Sequence, residues 1–327
     1  LHGSFASQDH PFSKFTPGNR TSLWDRPHEK GVSVRNELRR FYKENYSSNL
    51  MSLALVAPES LESLEELARS KFASIKNKSI PPHSEQYEDI PIFDGRSRLA
   101  HIVPVKDKRE LLIRWVLPPF DYRFKTDRFI ANLIGHEGKG CLRSLLIARN
   151  WANELVVRTS ANLDQFSLFD VSIELSHDGE NHYLEIVQLV YGYLNLMKTH
   201  GVKRNLWEEC KTMAELAFDY REKEDRTMLA TRLAEAMRKF PAEHYVCGPF
   251  LYFEFDEETI FETLERWIAS PVYIFLTSEL GEEQCDCVEE WYSTSYSVKV
   301  LEEELVKEWR RSSWDENLDT PPPNEFI

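Results

Sequence analysis

Ser167-Leu-Phe-Asp-Val-Ser-Ile-Glu-Leu-Ser176 sets apolar Phe169, Val171, Ile173 and Leu175 in strict alternation with Asp170, Ser172, Glu174 and Ser176. Successive side chains of a strand point to opposite faces, so this pattern predicts a strand with one buried and one wetted face. Such strands belong to antiparallel sheets, because sheets covered on both sides carry continuous apolar runs. Upstream, Glu154 to Ser160 is a second strand candidate. Leu99 to Val105 and Glu110 to Leu117 are also of strand length, and the polar turn Lys106-Asp-Lys-Arg109 between them predicts a hairpin, ended by Pro118 and Pro119. Pro271-Val-Tyr-Ile-Phe-Leu-Thr277 reads as a final, fully buried strand.

Between and after these strands the apolar residues recur at helical spacing. Asn181 to Thr199 does so through Tyr183, Ile186, Val187, Val190, Leu194 and Met197, with Gly201 as a stop; Leu206 to Tyr220, Arg226 to Phe240, Glu257 to Trp267 and Leu301 to Arg311 follow the same spacing. Five strands with helices grouped between them predict an α+β fold: an antiparallel sheet covered by helices on one face. Nearer the start, Val32 to Tyr46 reads as an amphipathic helix, Leu50 to Ala57 as a short buried strand, and Ser60 to Ile75 as a helix with acidic early turns. Asn77 to Arg98, with Pro81, Pro82 and Pro91 among polar residues, has the composition of a surface linker and marks a domain boundary.

The 327 residues, 42% of them hydrophobic, suffice for two domains with real cores. Forty Lys and Arg against fifty-four Asp and Glu leave a net charge of −14 with no segregated basic patch, which argues against nucleic acid and anionic membrane surfaces as partners. No apolar run approaches the roughly 18 residues of a spanning helix. Five cysteines, an odd number in a large chain, fit a reducing, cytoplasmic setting, and Cys285-Asp-Cys287 reads as an acidic loop. Acidic clusters such as Glu282-Glu283 read as solvated faces. Leu1 to Asp9 shows no basic leader, and Pro321-Pro-Pro-Asn-Glu-Phe-Ile327 is a polyproline-type exit, so the chain reads as a piece of something longer.

Leu133-Ile-Gly-His-Glu-Gly-Lys-Gly-Cys-Leu-Arg-Ser-Leu-Leu146 predicts a helix, a sharp turn and a second helix, with Gly135, Gly138 and Gly140 able to take positive φ or admit a neighbouring main chain. His136-Glu137 is half of a His-Glu-x-x-His zinc motif, but Gly140 stands where the second His is needed, and adjacent helical residues diverge by about 100° and cannot share one ion. The inverted motif fails at Ile186, after His182-Tyr-Leu-Glu185. No nucleophile elbow, phosphate loop or dinucleotide fingerprint occurs.

Several segments together resemble the pitrilysin (insulinase) family of zinc metallopeptidases, in its insulin-degrading-enzyme and nardilysin branch. They are His10-Pro-Phe-Ser-Lys-Phe15 with Gly18-Asn19, Tyr46-Ser-Ser-Asn-Leu-Met51, Ile102-Val-Pro-Val105, Leu133-Ile-Gly-His-Glu-Gly138, Glu289-Glu-Trp-Tyr292 with Thr294 and Tyr296, and Asn324-Glu-Phe-Ile327. The resemblance implies αβ-roll domains in two halves closing around a peptide chamber, with zinc held by ligands that precede Leu1. It makes residues 1–80 the tail of the catalytic-type first domain, 81–98 a linker, 99–320 a complete second domain, and 321–327 the start of the connection to the other half. The remaining domains of the same polypeptide would be its partners, and assembly into a homo-oligomer stays open.

By the same resemblance this stretch carries no zinc ligand and no catalytic residue. It would supply chamber wall and an exosite that anchors a substrate peptide as an added strand, at Gly135, Leu155, Val156, Val157 and Thr159. The insulin-degrading-enzyme branch has His where this chain has Arg128 and Asn132, and Gly-Gly where it has Val157-Arg158, so the resemblance implies weaker or differently selective anchoring. The competing reading is a non-catalytic peptide- or protein-binding homologue.

Overall fold

The computed structural model describes residues 2–279, 283, 285–324 and 326–327; Leu1, Glu282 and Glu325, on which parts of the sequence reading fall, lie outside them. The helices in chain order are α1 (Arg26–Glu29), α2 (Val34–Asn45), α3 (Leu61–Phe72), α4 (Thr126–Ile134), α5 (Leu142–Ala148), α6 (Tyr183–His200), α7 (Arg204–Asp219), α8 (Arg226–Lys239), α9 (Glu257–Ala269) and α10 (Glu303–Arg310). The strands are β1 (Arg98–Ile102), β2 (Glu110–Leu117), β3 (Ala152–Asn162), β4 (Ser167–Leu175), β5 (Val272–Thr277), β6 (Cys287–Val288) and β7 (Ser295–Val300). The chain forms two compact units: residues 1–92 with 220–250, and residues 93–219 with 251–327.

The first unit is helical. In α3 the Ser60 hydroxyl accepts from the Ser63 N–H, capping one of the amides that a helix start leaves unpaired. Leu38, Phe41 and Tyr42 of α2 are 64%, 56% and 60% exposed. The strand expected over Leu50 to Ala57 does not form: Leu50 closes a 3-10 turn (Ser48–Leu50) and 51–57 runs on irregularly. A strand needs a ladder partner for its main chain, and none of the described strands pairs with this segment.

The second unit is built on one sheet of order β3-β4-β2-β5-β1-β7-β6. β3/β4, β2/β4, β2/β5, β1/β7 and β6/β7 run antiparallel, and β1/β5 parallel. The sheet is therefore mixed but mostly antiparallel, as the α+β reading requires. The hairpin expected from 99–105 and 110–117 is absent, because β5 lies between the two strands and pairs with both. Both faces of β5 are buried from Val272 to Leu276, which is why it reads as an unbroken apolar run and occupies the middle of the sheet. β7 escaped the sequence reading because Ser295, Ser297 and Lys299 dilute its β-branched and aromatic residues.

Leu111, Ile113, Trp115 and Leu117 alternate along β2 into a core shared with Phe169, Val171 and Ile173 of β4. α6 and α9 supply its other side. The Trp267 ring meets Phe169 at 3.8 Å and Trp115 at 5.8 Å, both edge-on, and the Trp115 indole N–H donates to the Tyr191 hydroxyl at 3.3 Å. Burial raises the Tyr191 hydroxyl to about 12.

Candidate functional site

α4, the glycine turn, α5 and β3 are consecutive in the chain, and both helices pack against β3. α4 begins after Lys125, whose φ of 45° is left-handed, and ends at Gly135, whose N–H donates to the Ala131 carbonyl at 2.9 Å. Gly135 has a φ of −81°, so its role is close approach: a Cβ there would stand 3.0 Å from the Ala131 oxygen and 3.6 Å from Val157 Cγ2. Gly138 likewise makes room for the His136 ring, and of the three glycines only Gly140 takes a positive φ, +85°.

The side chains of the turn are engaged locally. His136 Nδ1 accepts the Gly138 N–H at 3.0 Å and lies 3.2 Å from Cys141 Sγ; Glu137 pairs with Arg143 at 3.4 Å. Burial pushes the Cys141 thiol up, opposite to what a thiolate nucleophile needs. His182 stacks on Trp151 at 4.4 Å, with Nδ1 3.4 Å from Glu185. Among the described residues no three His, Cys, Asp or Glu side chains converge as a metal site requires. Among the described residues the His136, His177 and His182 imidazoles each engage a partner within five positions along the chain, and the donors do not assemble as a zinc centre requires.

β3 is an edge strand. Among the described strands it pairs with β4 alone, with bulges between Ala152 and Glu154 and between Thr159 and Ala161. Leu155 is buried and Val157 and Thr159 are half-buried beneath the helices, whereas Val156, 42% exposed, looks to the other face. The Thr159 hydroxyl donates to Asp127 Oδ2 at 2.7 Å. Gly135 and Val157 thus meet directly, and Thr159 is tied to α4. The sequence reading missed Asp127; an acidic residue in a first helical turn is a visible signal, but its partner is not. The edge position of β3 was implied by the resemblance and not by the periodicity of its own residues.

These features define a class of domain: a helix-backed α+β sheet whose outermost described strand is the long β3. The chain belongs to the peptidase M16 family, with residues 33–214 matching the peptidase M16 inactive domain and residues 218–327 the middle or third domain of peptidase M16. It is 34% identical to the insulin-degrading enzyme of Drosophila melanogaster over 98% of this chain and 33% of that protein, and 31% identical to the human insulin-degrading enzyme over 100% and 32%. With the nardilysin of Rattus norvegicus it shares 31% identity over 100% of this chain and 29% of that one. The chain thus spans about a third of the length of the curated relatives it matches. The fold is that of the crystal structure of pitrilysin, at a TM-score of 0.86 and 22% identity over 99% of this chain and 34% of that one. The family read from the residues is the family these matches show.

Proposed function

We propose that this chain is an internal part of a cytoplasmic zinc metalloendopeptidase that degrades peptides in a closed chamber, and that it provides chamber wall and a substrate-anchoring exosite while the zinc centre lies in other sequence of the same polypeptide. In this reading residues 1–80 end the catalytic-type first domain, 81–98 link, 99–320 form the second αβ-roll domain, and 321–327 lead towards the second half. The observation that carries the anchoring role is the open edge of β3 beside Gly135. An extended peptide gains affinity there from main-chain hydrogen bonds and selectivity from alternate side chains. Val157 and Arg158 narrow that approach relative to a Gly-Gly pair.

In the full-length protein, Val157→Gly with Arg158→Gly is expected to lower KM for long peptides and to move the preferred cleavage site. Unchanged KM and unchanged cleavage sites would remove the exosite from these positions. The coding sequence upstream of Leu1 is expected to encode His-x-x-Glu-His and a later Glu; a natural product without them would be a non-catalytic binding homologue.

A further inference from the structure

β3 offers an added strand more than main chain. Its helix-facing side holds Leu155, Val157 and Thr159, and its other side presents Glu154, Val156 and Arg158, all exposed. The register extends each of these into a row across the sheet. Glu154 lies opposite Glu174, and Glu174 opposite Glu110. Lys108 pairs with Glu110 at 2.7 Å and the Asn153 amide donates to Glu174 at 3.1 Å, so the row keeps an excess of negative charge at its open end. Like charges directly opposite one another are unfavourable, and a cation beside Glu154 would relieve the contact.

Four positions along, the sign inverts. Arg158 lies opposite Asp170, and Asp170 opposite Arg114. Asp170 is buried and accepts two hydrogen bonds from Arg114, at 2.6 Å each, so that pair is already neutral and Arg158 adds a positive charge at the end of the row. Among the described residues neither Glu154 nor Arg158 forms a close ion pair, and Arg158 acts at longer range on the Glu110 carboxylate. The two rows are four residues apart, roughly 13 Å at about 3.3 Å per residue. Val156, opposite Ser172, lies between them.

We propose that Glu154 and Arg158 set the register and direction of a peptide added to β3: the peptide runs antiparallel, with an acidic residue beside Arg158, a basic residue four positions later beside Glu154, and an apolar residue between them over Val156. This rests on the anchoring role of β3 proposed above. Antiparallel addition sets residues directly opposite one another and is slightly more stable per residue than parallel addition. A slip by one residue turns the charged side chains to the helix-facing side, and a slip by two breaks both charge pairs and sets one of the charges against Val156. Reversing the charge order in the same strand direction makes two like-charge contacts, so the pattern selects by repulsion as well as attraction.

The test uses the full-length protein in EDTA and two labelled peptides of equal composition, Thr-Glu-Thr-Val-Thr-Lys-Thr and Thr-Lys-Thr-Val-Thr-Glu-Thr, followed by fluorescence anisotropy. The acid-first peptide is expected to bind about fivefold more tightly, two exposed charge pairs being worth roughly that much. In Glu154→Lys with Arg158→Glu, both at exposed positions, the preference is expected to invert. Equal affinities in the parent protein, or a ratio that the double variant leaves unchanged, would overturn the proposal. Acid-first peptides N-methylated at alternate amides, in both phases, separate the two levels. If neither phase weakens binding, strand addition itself fails; if one phase abolishes binding while the charge ratio stays at one, only the charge assignment fails.

Discussion

The Thr159 hydroxyl donates to the Asp127 carboxylate across 2.7 Å, joining the outer strand of the sheet to the first turn of the helix that covers it. A hydrogen bond to a charged acceptor is worth more than a neutral one, typically about 1.5–3 kcal/mol, and partial exposure reduces it. Thr159→Val keeps the shape and removes the donor, and is expected to cost about 1 kcal/mol, read as a lower urea midpoint. Asp127→Asn with Thr159→Val should add little to the single change; additive losses would mean the two side chains are not coupled.

Arg114 holds the buried Asp170 through two hydrogen bonds of 2.6 Å. Removing one partner strands a buried charge, so Arg114→Met is expected to destabilise by about 3 kcal/mol. Replacing both, Arg114→Met with Asp170→Leu, should recover most of that loss. A double variant no more stable than Arg114→Met would mean that the pair contributes through shape and not charge.

Gly179 packs against the main chain ahead of β3: a Cβ there would lie 1.8 Å from the Trp151 carbonyl oxygen. Backbone cannot swing aside as a side-chain tip can, so Gly179→Ala is expected to cost about 3 kcal/mol or to prevent folding. Gly140→Ala meets nothing nearer than 3.6 Å and pays only for its φ of +85°, about 1 kcal/mol. Equal thermal shifts in the two variants would contradict this order.

Burial pushes the Cys210 thiol from an ordinary 9.0 to about 12, and the Tyr191 and Tyr273 hydroxyls from 10.0 to about 12. Each holds its proton more tightly folded than unfolded. The stability contributed by their neutral burial is complete below pH 9 and is lost as pH climbs towards about 12, because there only the unfolded chain ionises freely. The unfolding midpoint is expected to fall steadily from pH 9 to 12; a flat profile across that window would show that these groups ionise equally well in the folded chain.

Much of this architecture was legible because it is local. The alternation of Phe169, Val171, Ile173 and Leu175 gave β4, the recurrence of Ile186, Val190, Leu194 and Met197 gave α6, and three glycines marked the turn between α4 and α5. Leu50 to Ala57 misled, since an apolar run tells of burial demand and nothing of whether a partner strand is present. At the candidate site, Gly135, Leu155, Val156, Val157 and Thr159 were named from resemblance, and periodicity by itself would not have separated the inward Leu155 from a core strand residue.

The amino-acid order alone determined most of the helices of the second unit, the alternation of β4, and that no zinc motif is written in these residues, because each of these depends on neighbours within a few positions along the chain. The tertiary structure alone decided that β5 enters between β1 and β2, that β3 is left at the rim, and that Glu154 and Arg158 end rows of opposite charge. Those outcomes depend on pairing between strands distant in the chain, more than a hundred positions apart where β5 meets β1 and β2, and the local preferences of each segment do not choose among such pairings.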